Sequence, residues 1–484
     1  MHFLPTGFWR PDESDYWPRA DATRSMARSS YYSNYGLLMH ATKTAAIGGT
    51  ICGLLAAFGV GIATQFWCVL PVADQWGMVE FYRTKVEHGL TFADWIAPQN
   101  EHRLALIRLA FLLDYDWFQG RSIFVNLIAV LSNLVLGSMI GALATAGLAA
   151  AQRAFGIVLS IAFFVSPVQI ENIVLPIHMS YPLVCVLAIV AFASTARAGT
   201  EQLQSLTWIY LSLGSVATLL CPFTMANGII ASVIAAGLAW VLPAQASVRI
   251  SITVAAFAAV ATCLWGLQLP SESLHATLVN AHGIRDAINF FLAFIGLAGA
   301  FGPRALGGID VAIFVGIAGI AVWTAMLLRS LERWRRGCSA DPNTIALFLA
   351  ATFIVVTGIM ITLGRAGAGP AEALSTRYAT FSLAFWASLI GTAWRMAPEL
   401  GPLAGLARRS AGVATIVMLL LSYVAWFRVA QPSYARTAAA DVVSAELRMG
   451  RFDPTHVLLI YPRPDEIRDE VDFLRSRRLS IFAQ

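Results

Sequence analysis

Ionisable side chains are scarce in this chain, and several of them fall together in short runs between long apolar stretches. The first run is Val72-Ala73-Asp74-Gln75-Trp76, directly after an apolar segment. An amphipathic stretch follows, then Gln99-Asn100-Glu101-His102-Arg103, with Arg108 further on. A carboxylate at such an edge can take a proton from an attacking hydroxyl, which makes Asp74 the candidate general base. Glu101, His102 and Arg103 can fold back beside it, so that a base and a cation share one loop. The competing use of Asp74 is to cap the amphipathic helix through its side chain. The second run, Gln169 to His178, carries a second acid in Glu171 and a second titratable ring in His178. That histidine has the alternative of a simple hydrogen bond within a helix interface. The third run is Gly364-Arg365-Ala366-Gly367-Ala368-Gly369, followed by Ser375-Thr376-Arg377-Tyr378. Glycines let backbone N–H groups approach a ligand, and Arg365 and Arg377 supply charge for a phosphate. Snorkelling of the two arginines at a helix end is the alternative. Glu272, His275, His282, Arg285 and Asp286 form a further, less patterned group.

Other chemistries lack their spacing. No HExxH or HxH metal pattern, Walker A loop, Rossmann fingerprint or serine elbow occurs. The six cysteines, Cys52, Cys68, Cys185, Cys221, Cys263 and Cys338, contain no CxxC pair and read as small buried hydrophobes.

The elements that must position these runs follow from composition. Of 484 residues 57% are hydrophobic and 13% charged. A soluble domain has about 25% charged residues, so a soluble enzyme, a disordered chain and a fibrous protein are all excluded. Apolar runs of membrane-spanning length make the class an all-α polytopic membrane protein. The net charge is +5, and of 33 basic residues only Lys43 and Lys85 are lysine. Those basic residues are scattered among the spans rather than gathered on a soluble face, which excludes a nucleic-acid partner. No cytosolic segment is large enough to fold as a nucleotide-driven catalytic domain.

The expected spans are 44–71, 122–150, 154–168, 180–196, 206–221, 228–244, 250–268, 310–328, 344–363, 379–397 and 411–427, about eleven crossings in all. Asn289–Phe301 is too short for a span and reads as a re-entrant or interfacial helix. Basic short loops mark the cytoplasmic side. The markers are Arg329–Arg336, then Arg395 with Arg408 and Arg409, and the arm over 1–43, which carries Arg10, Arg19, Arg24 and Arg28. They agree if the N-terminus lies inside, the C-terminus outside and 289–301 does not cross. The organisation is then a cytosolic arm over 1–43, a membrane domain over 44–427 with a first outer loop at 72–121, and a small soluble outer segment over 428–484. In that segment His456–Pro462 reads as a strand, and Pro464, Asp465 and Glu466 open a helix in which Ile467, Val471 and Leu474 share a face. The extension is therefore expected to be a small α/β unit.

This layout resembles the GT-C glycosyltransferases of bacterial type, integral membrane enzymes that use polyprenyl-phosphate-linked sugars. The matching features are Asp74 in VADQWG, the NEHR run at 100–103 and the GRAGAG…STRY segment at 364–378. The resemblance spans the membrane domain and rests on layout more than on tight motifs. It implies a helical bundle with a long helical first outer loop. It also implies an inverting displacement in which an acceptor hydroxyl attacks the anomeric carbon and polyprenyl phosphate leaves. Asp74 would be the base, with Glu101 or Glu171 orienting it or the acceptor. Arg365 and Arg377, helped by Arg103, would hold the donor phosphate, and His102, Glu171, His178 and Tyr378 would meet the acceptor or sugar. Many members carry two acids close together in the first loop, and here the second would be Glu80, Glu101 or none. No cofactor is implied, because polyprenyl phosphate is already a stabilised anion.

The implied partners are a lipid-linked sugar donor, a glycan, lipid or protein acceptor, and membrane lipid, at the periplasmic face of the inner membrane. Two other classes compete. A glycan or lipid flippase needs a polar path through the spans, and its usual inverted repeat is not visible. A surface-polysaccharide polymerase would concentrate its site in one large late outer loop, whereas the longest outer loop here is the first.

Overall fold

The computed structural model describes residues 43, 45–201, 203–266, 283–300, 308–337 and 341–483. Most of the N-terminal arm with its four arginines, Cys338, and Glu272, His275 and His282 lie outside the described residues.

The chain is a multi-pass helical membrane protein. The helices are α1 (Ala45–Thr64), α2 (Trp76–His88), α3 (Phe92–Ile96), α4 (Ala105–Phe118), α5 (Ile123–Ala144), α6 (Ala150–Phe164), α7 (Ile170–Val174), α8 (Ser180–Thr200), α9 (Gln204–Leu220), α10 (Gly228–Val241), α11 (Ala246–Leu264), α12 (Ile284–Gly296), α13 (Gly308–Arg335), α14 (Pro342–Arg365), α15 (Ala379–Met396), α16 (Ala404–Val424), α17 (Trp426–Arg448), α18 (Pro454–Val457) and α19 (Arg468–Arg477). Every expected span holds one of these helices. Among the described residues eight helical runs are long and apolar enough to cross a membrane, or nine if the bent pair α6–α7 is one span. The difference from about eleven has visible causes. α10 has only 14 residues. α15 and α16 fall in one helical run that continues to Arg448, although Gly401 (φ 55°) and Pro402 break the helical path between them.

Burial sorts the helices. The run Pro176–Thr200 buries 72% of its most apolar stretch and forms the centre of the bundle, while Gly308–Arg335 buries only 17% and leaves Phe314 and Ile317 on the outer surface. Large exposed apolar side chains on such a helix are what lipid contact requires. α12 is a 13-residue helix whose Phe290, Ala293, Phe294 and Ile295 are fully buried. Its first half is exposed at Ile284 and Ile288 while its second half is buried in the bundle, and at about 20 Å it is short of a hydrocarbon core, as expected of a helix that does not cross.

Lipid supplies no hydrophobic drive between helices, so close backbone approach matters. α5 carries Gly137 and Gly141 one turn apart against α6. A Cβ would come within 2.8 Å of Ile161 Cα at the first position and 2.7 Å of Ile157 Cα at the second.

Charges collect at the two ends of the bundle. Arg395 pairs with Asp341 at 2.8 Å just before α14 begins, and Arg329 donates to the Glu399 carbonyl at 2.8 Å. Arg365 closes the other end of α14, about 36 Å of helix away. The Arg329–Arg336 cluster, Arg395 and Arg408 thus share the end opposite Arg365.

A second hydrophobic cluster lies at the Arg365 end. It joins the end of α1, the helices of 72–121, α7 and the C-terminal segment, through side chains that include Phe66, Trp76, Ile107, Ile173, Val443, Ile460 and Leu474. An Arg83–Glu470 pair at 3.2 Å ties α2 to α19, and Ser480 bonds the carbonyls of Val69 (2.8 Å) and Gln119 (2.7 Å). The expected helical face is present: Ile467, Val471 and Leu474 are all buried. The expected strand is not. Asp453 caps Pro454–Val457 by accepting the Thr455 N–H at 2.8 Å. The N–H groups of Ile460 and Tyr461 then both fold back onto the Val457 carbonyl at 2.9 Å. With an N-cap, a proline at the first helical position and no partner strand among the described residues, a helical turn satisfies the backbone where an isolated strand would not. The extension is helical throughout, not α/β.

Gly141→Leu should force α5 off α6 and lower stability by about 1–3 kcal/mol or more, read as a fall in the thermal midpoint of detergent-purified protein. Gly237→Leu, which meets open space, should leave the midpoint unchanged.

Candidate active site

The site is built where the first loop leaves α1. Ala73 takes a left-handed conformation (φ 51°), which costs a non-glycine residue about 1–2 kcal/mol. Its N–H donates to the Ile460 carbonyl of the C-terminal segment at 2.9 Å. Asp74 follows, exposed, in a short 3-10 turn, and its carbonyl accepts the Gln99 side-chain amide at 2.9 Å. α2 begins only at Trp76 and has no side-chain cap, so Asp74 is not spent on capping.

Gln99 and His102 exchange both backbone hydrogen bonds (2.8 and 3.0 Å) across a tight turn in which Asn100 is left-handed. Asparagine tolerates that conformation better than most residues. The turn presents Glu101 and His102 together. His102 Nδ1 accepts the Ala226 N–H at 3.3 Å, so its proton sits on Nε2, 3.6 Å from Glu101 Oε1. Arg365 Nη2 reaches the same carboxylate oxygen at 3.7 Å. Glu101 thus lies between a ring and a guanidinium that are 263 positions apart in the chain. Burial pushes the His102 pKa below its ordinary value, opposed by Glu101 and, more weakly, by Asp74. The field of Asp74 also reaches His178.

A second group adjoins the first. The Thr376 hydroxyl donates to Glu171, and Arg436 lies 3.8 Å from the other oxygen of that carboxylate. Asn172 bonds Thr380 Oγ1 and Gln169 Oε1 at 2.9 Å and the Arg377 carbonyl at 3.1 Å, which fixes the Thr376–Tyr378 turn against α7. Arg377 pairs with Glu372 and lies over the Tyr378 ring, 5.1 Å from its centroid. His178 stands edge-on to Tyr181 at 5.4 Å, and its Nδ1 is buried without a hydrogen-bond partner, so the hydrogen bond expected in the helix interface is not made through that nitrogen.

Arg103 stands apart from both groups. It is buried and donates to the carbonyls of Cys263 (2.9 Å), Ile96 and Trp265. It therefore caps the end of α11 and pins the first loop to it, which leaves it poorly placed to meet a phosphate. Arg108 does the same for α3, bonding the carbonyls of Asp94, Trp95 and Ala97 at 2.7–3.0 Å.

Beside Glu171 opens a cavity of about 190 Å³, lined on its polar side by Thr376, Arg428, Ser433 and Arg436. The two arginines are residues that sequence reading missed, because they lie beyond position 427 in the segment set aside as an outer extension. A signal was present: Arg428, Pro432 and Arg436 are spaced by four and fall on one face of α17. Among the described residues no group of three His, Cys, Asp or Glu side chains is placed to hold a metal ion.

Comparison with protein-family models, with curated proteins and with solved structures gives no match to this chain.

Because His102 is held below its ordinary value of 6.5, the unfolded chain binds more protons below that pH and stability falls as the pH drops through it. The thermal midpoint of the purified protein should decline below about pH 6.5, and His102→Gln should flatten that decline. An unchanged profile in the variant would remove His102 as its source.

Proposed function

We propose that this chain is a membrane glycosyltransferase of GT-C type. It moves a sugar from a polyprenyl-phosphate donor to a glycan, lipid or protein acceptor on the outer face of a bacterial inner membrane. The observation that carries the reading is the convergence of Asp74, Glu101, His102 and Arg365 at one end of the bundle, next to a cavity with arginines and apolar walls.

In this reading the acceptor hydroxyl attacks the anomeric carbon while Asp74 takes its proton. The bond from that carbon to the phosphate oxygen breaks, and polyprenyl phosphate leaves with the electron pair. Asp74 suits the role because it is exposed and makes no side-chain cap. The Gln99 amide holds the Asp74 carbonyl, and the Ile460 carbonyl holds the N–H of the preceding Ala73. Glu101 and His102 lie within reach of an incoming hydroxyl or of the sugar, and arginines at the same end meet the phosphate charge. The N-terminus and the Arg329–Arg336 end would then face the cytoplasm, and the Arg365 end the periplasm.

Membranes carrying Asp74→Asn should transfer sugar from a polyprenyl-linked donor about 10²–10⁴-fold more slowly than wild type, with the protein still folded. Arg103→Gln should instead lower the thermal midpoint, because three carbonyls lose their partner. Full transfer by Asp74→Asn would reject Asp74 as the base.

A further inference from the structure

We propose that the cavity between α7 and α17 is a binding site for a phosphate head group carried on an apolar tail, with Arg428 and Arg436 as its cations. For the identity of its ligand this rests on the transferase reading. It moves the phosphate away from the three arginines that the sequence pointed to.

The guanidinium groups at this end of the bundle differ in how far they are already committed. Arg103 is fully used by three backbone carbonyls. Arg377 is paired directly with Glu372. Arg365 faces the same Glu101 oxygen as His102, at 3.7 Å, and does not line the cavity. Among the described residues the ion-pair partner of Arg436 is Glu171 at 3.8 Å, beyond hydrogen-bond range. Among the described residues Arg428 donates to the Ala300 carbonyl at 3.0 Å, and its Nε is buried without a hydrogen-bond partner.

The surroundings fit the same ligand. Ser433 uses its hydrogen on the Val429 carbonyl at 2.7 Å and keeps acceptor capacity only, so the donors facing the cavity are the two guanidinium groups. Glu171 also lines the cavity, and its charge opposes an anion. It is met by the Thr376 hydroxyl and by Arg436, and Arg377 acts on it as well. Among the described residues the two cations of the cavity therefore exceed its one acid. The remaining wall is apolar and includes Ile170, Leu297 and Leu374. Cations beside an apolar wall, at the end of a bundle whose outer surface is apolar, suit a phosphate attached to a hydrocarbon chain better than a free sugar.

The test is binding of a short-chain prenyl phosphate to the full-length protein in nanodiscs, with prenyl alcohol and inorganic phosphate as comparison ligands. Wild type should bind the prenyl phosphate and not the alcohol. Arg428→Gln and Arg436→Gln should each weaken binding about tenfold or more. Leu374→Trp, which fills the cavity and leaves every charge in place, should weaken it as much, and so covers the case in which an arginine variant does not fold. Arg336→Gln, at the opposite end of the bundle, should bind like wild type. Inorganic phosphate binding as tightly as the prenyl phosphate would keep the anion site and reject the lipid. Equal binding of the alcohol, or wild-type affinity in both the arginine variants and Leu374→Trp, would overturn the proposal. Expected binding with no sugar transfer by wild-type membranes would reject the transferase reading alone. Transfer with wild-type binding in the cavity variants would reject this site alone.

Discussion

One hydrogen bond fixes the geometry of the candidate site: the Ala73 N–H to the Ile460 carbonyl. Ala73 sits in a left-handed conformation that a residue with a Cβ holds only when its neighbours over-determine it. The Ile460 carbonyl helps to hold it there and so sets the direction in which the chain enters Asp74. Ile460 in turn is held by a hydrophobic cluster that includes Trp76, Ile107, Ile173 and Leu474. The C-terminal segment and the first loop are two halves of one core, nearly four hundred positions apart. The position of the acid therefore depends on packing at the far end of the chain.

The second constraint is the scarcity of charge. With 13% charged residues the protein has few groups to place, and lipid penalises any that lack partners. The helices respond by sending their charges to the two ends. At one end Arg395 pairs with Asp341, and Arg329 donates to the Glu399 carbonyl while its Nε stays without a hydrogen-bond partner. At the other end acids, histidines and arginines meet. His178 keeps an unpaired ring nitrogen, Arg428 an unpaired Nε, and Glu101 stands 3.6–3.7 Å from its two neighbours. The two ends differ chemically in that only the second brings acids, histidines and arginines together.

Much of this was legible in the sequence. Apolar runs located every helix of the expected spans, and of the run expected beside Asp74, Gln99 and His102 come near it while Arg103 turns to α11. Two things were not legible. The role of Arg103 depends on where α11 ends, because its partners are the carbonyls of Cys263 and Trp265, and no local pattern gives that distance. The C-terminal segment was misread in part because His456–Pro462 has the composition of a strand, while the capping by Asp453 and the lack of a strand to pair with decide for a turn. Setting the segment apart as an extension also hid Arg428 and Arg436, whose common face was visible in their spacing.

The central claim is that residues from the first loop, the 169–178 and 364–378 segments and the C-terminal segment make one site for a lipid-linked sugar. An experimental structure of the protein in nanodiscs with a non-hydrolysable polyprenyl-phosphate sugar tests it most directly. The anomeric carbon should lie on the Asp74 side of the cavity, with the phosphate against Arg428 and Arg436 and the chain leaving along the apolar wall. A phosphate bound at the Arg329–Arg336 end, or a sugar out of reach of Asp74, would contradict it.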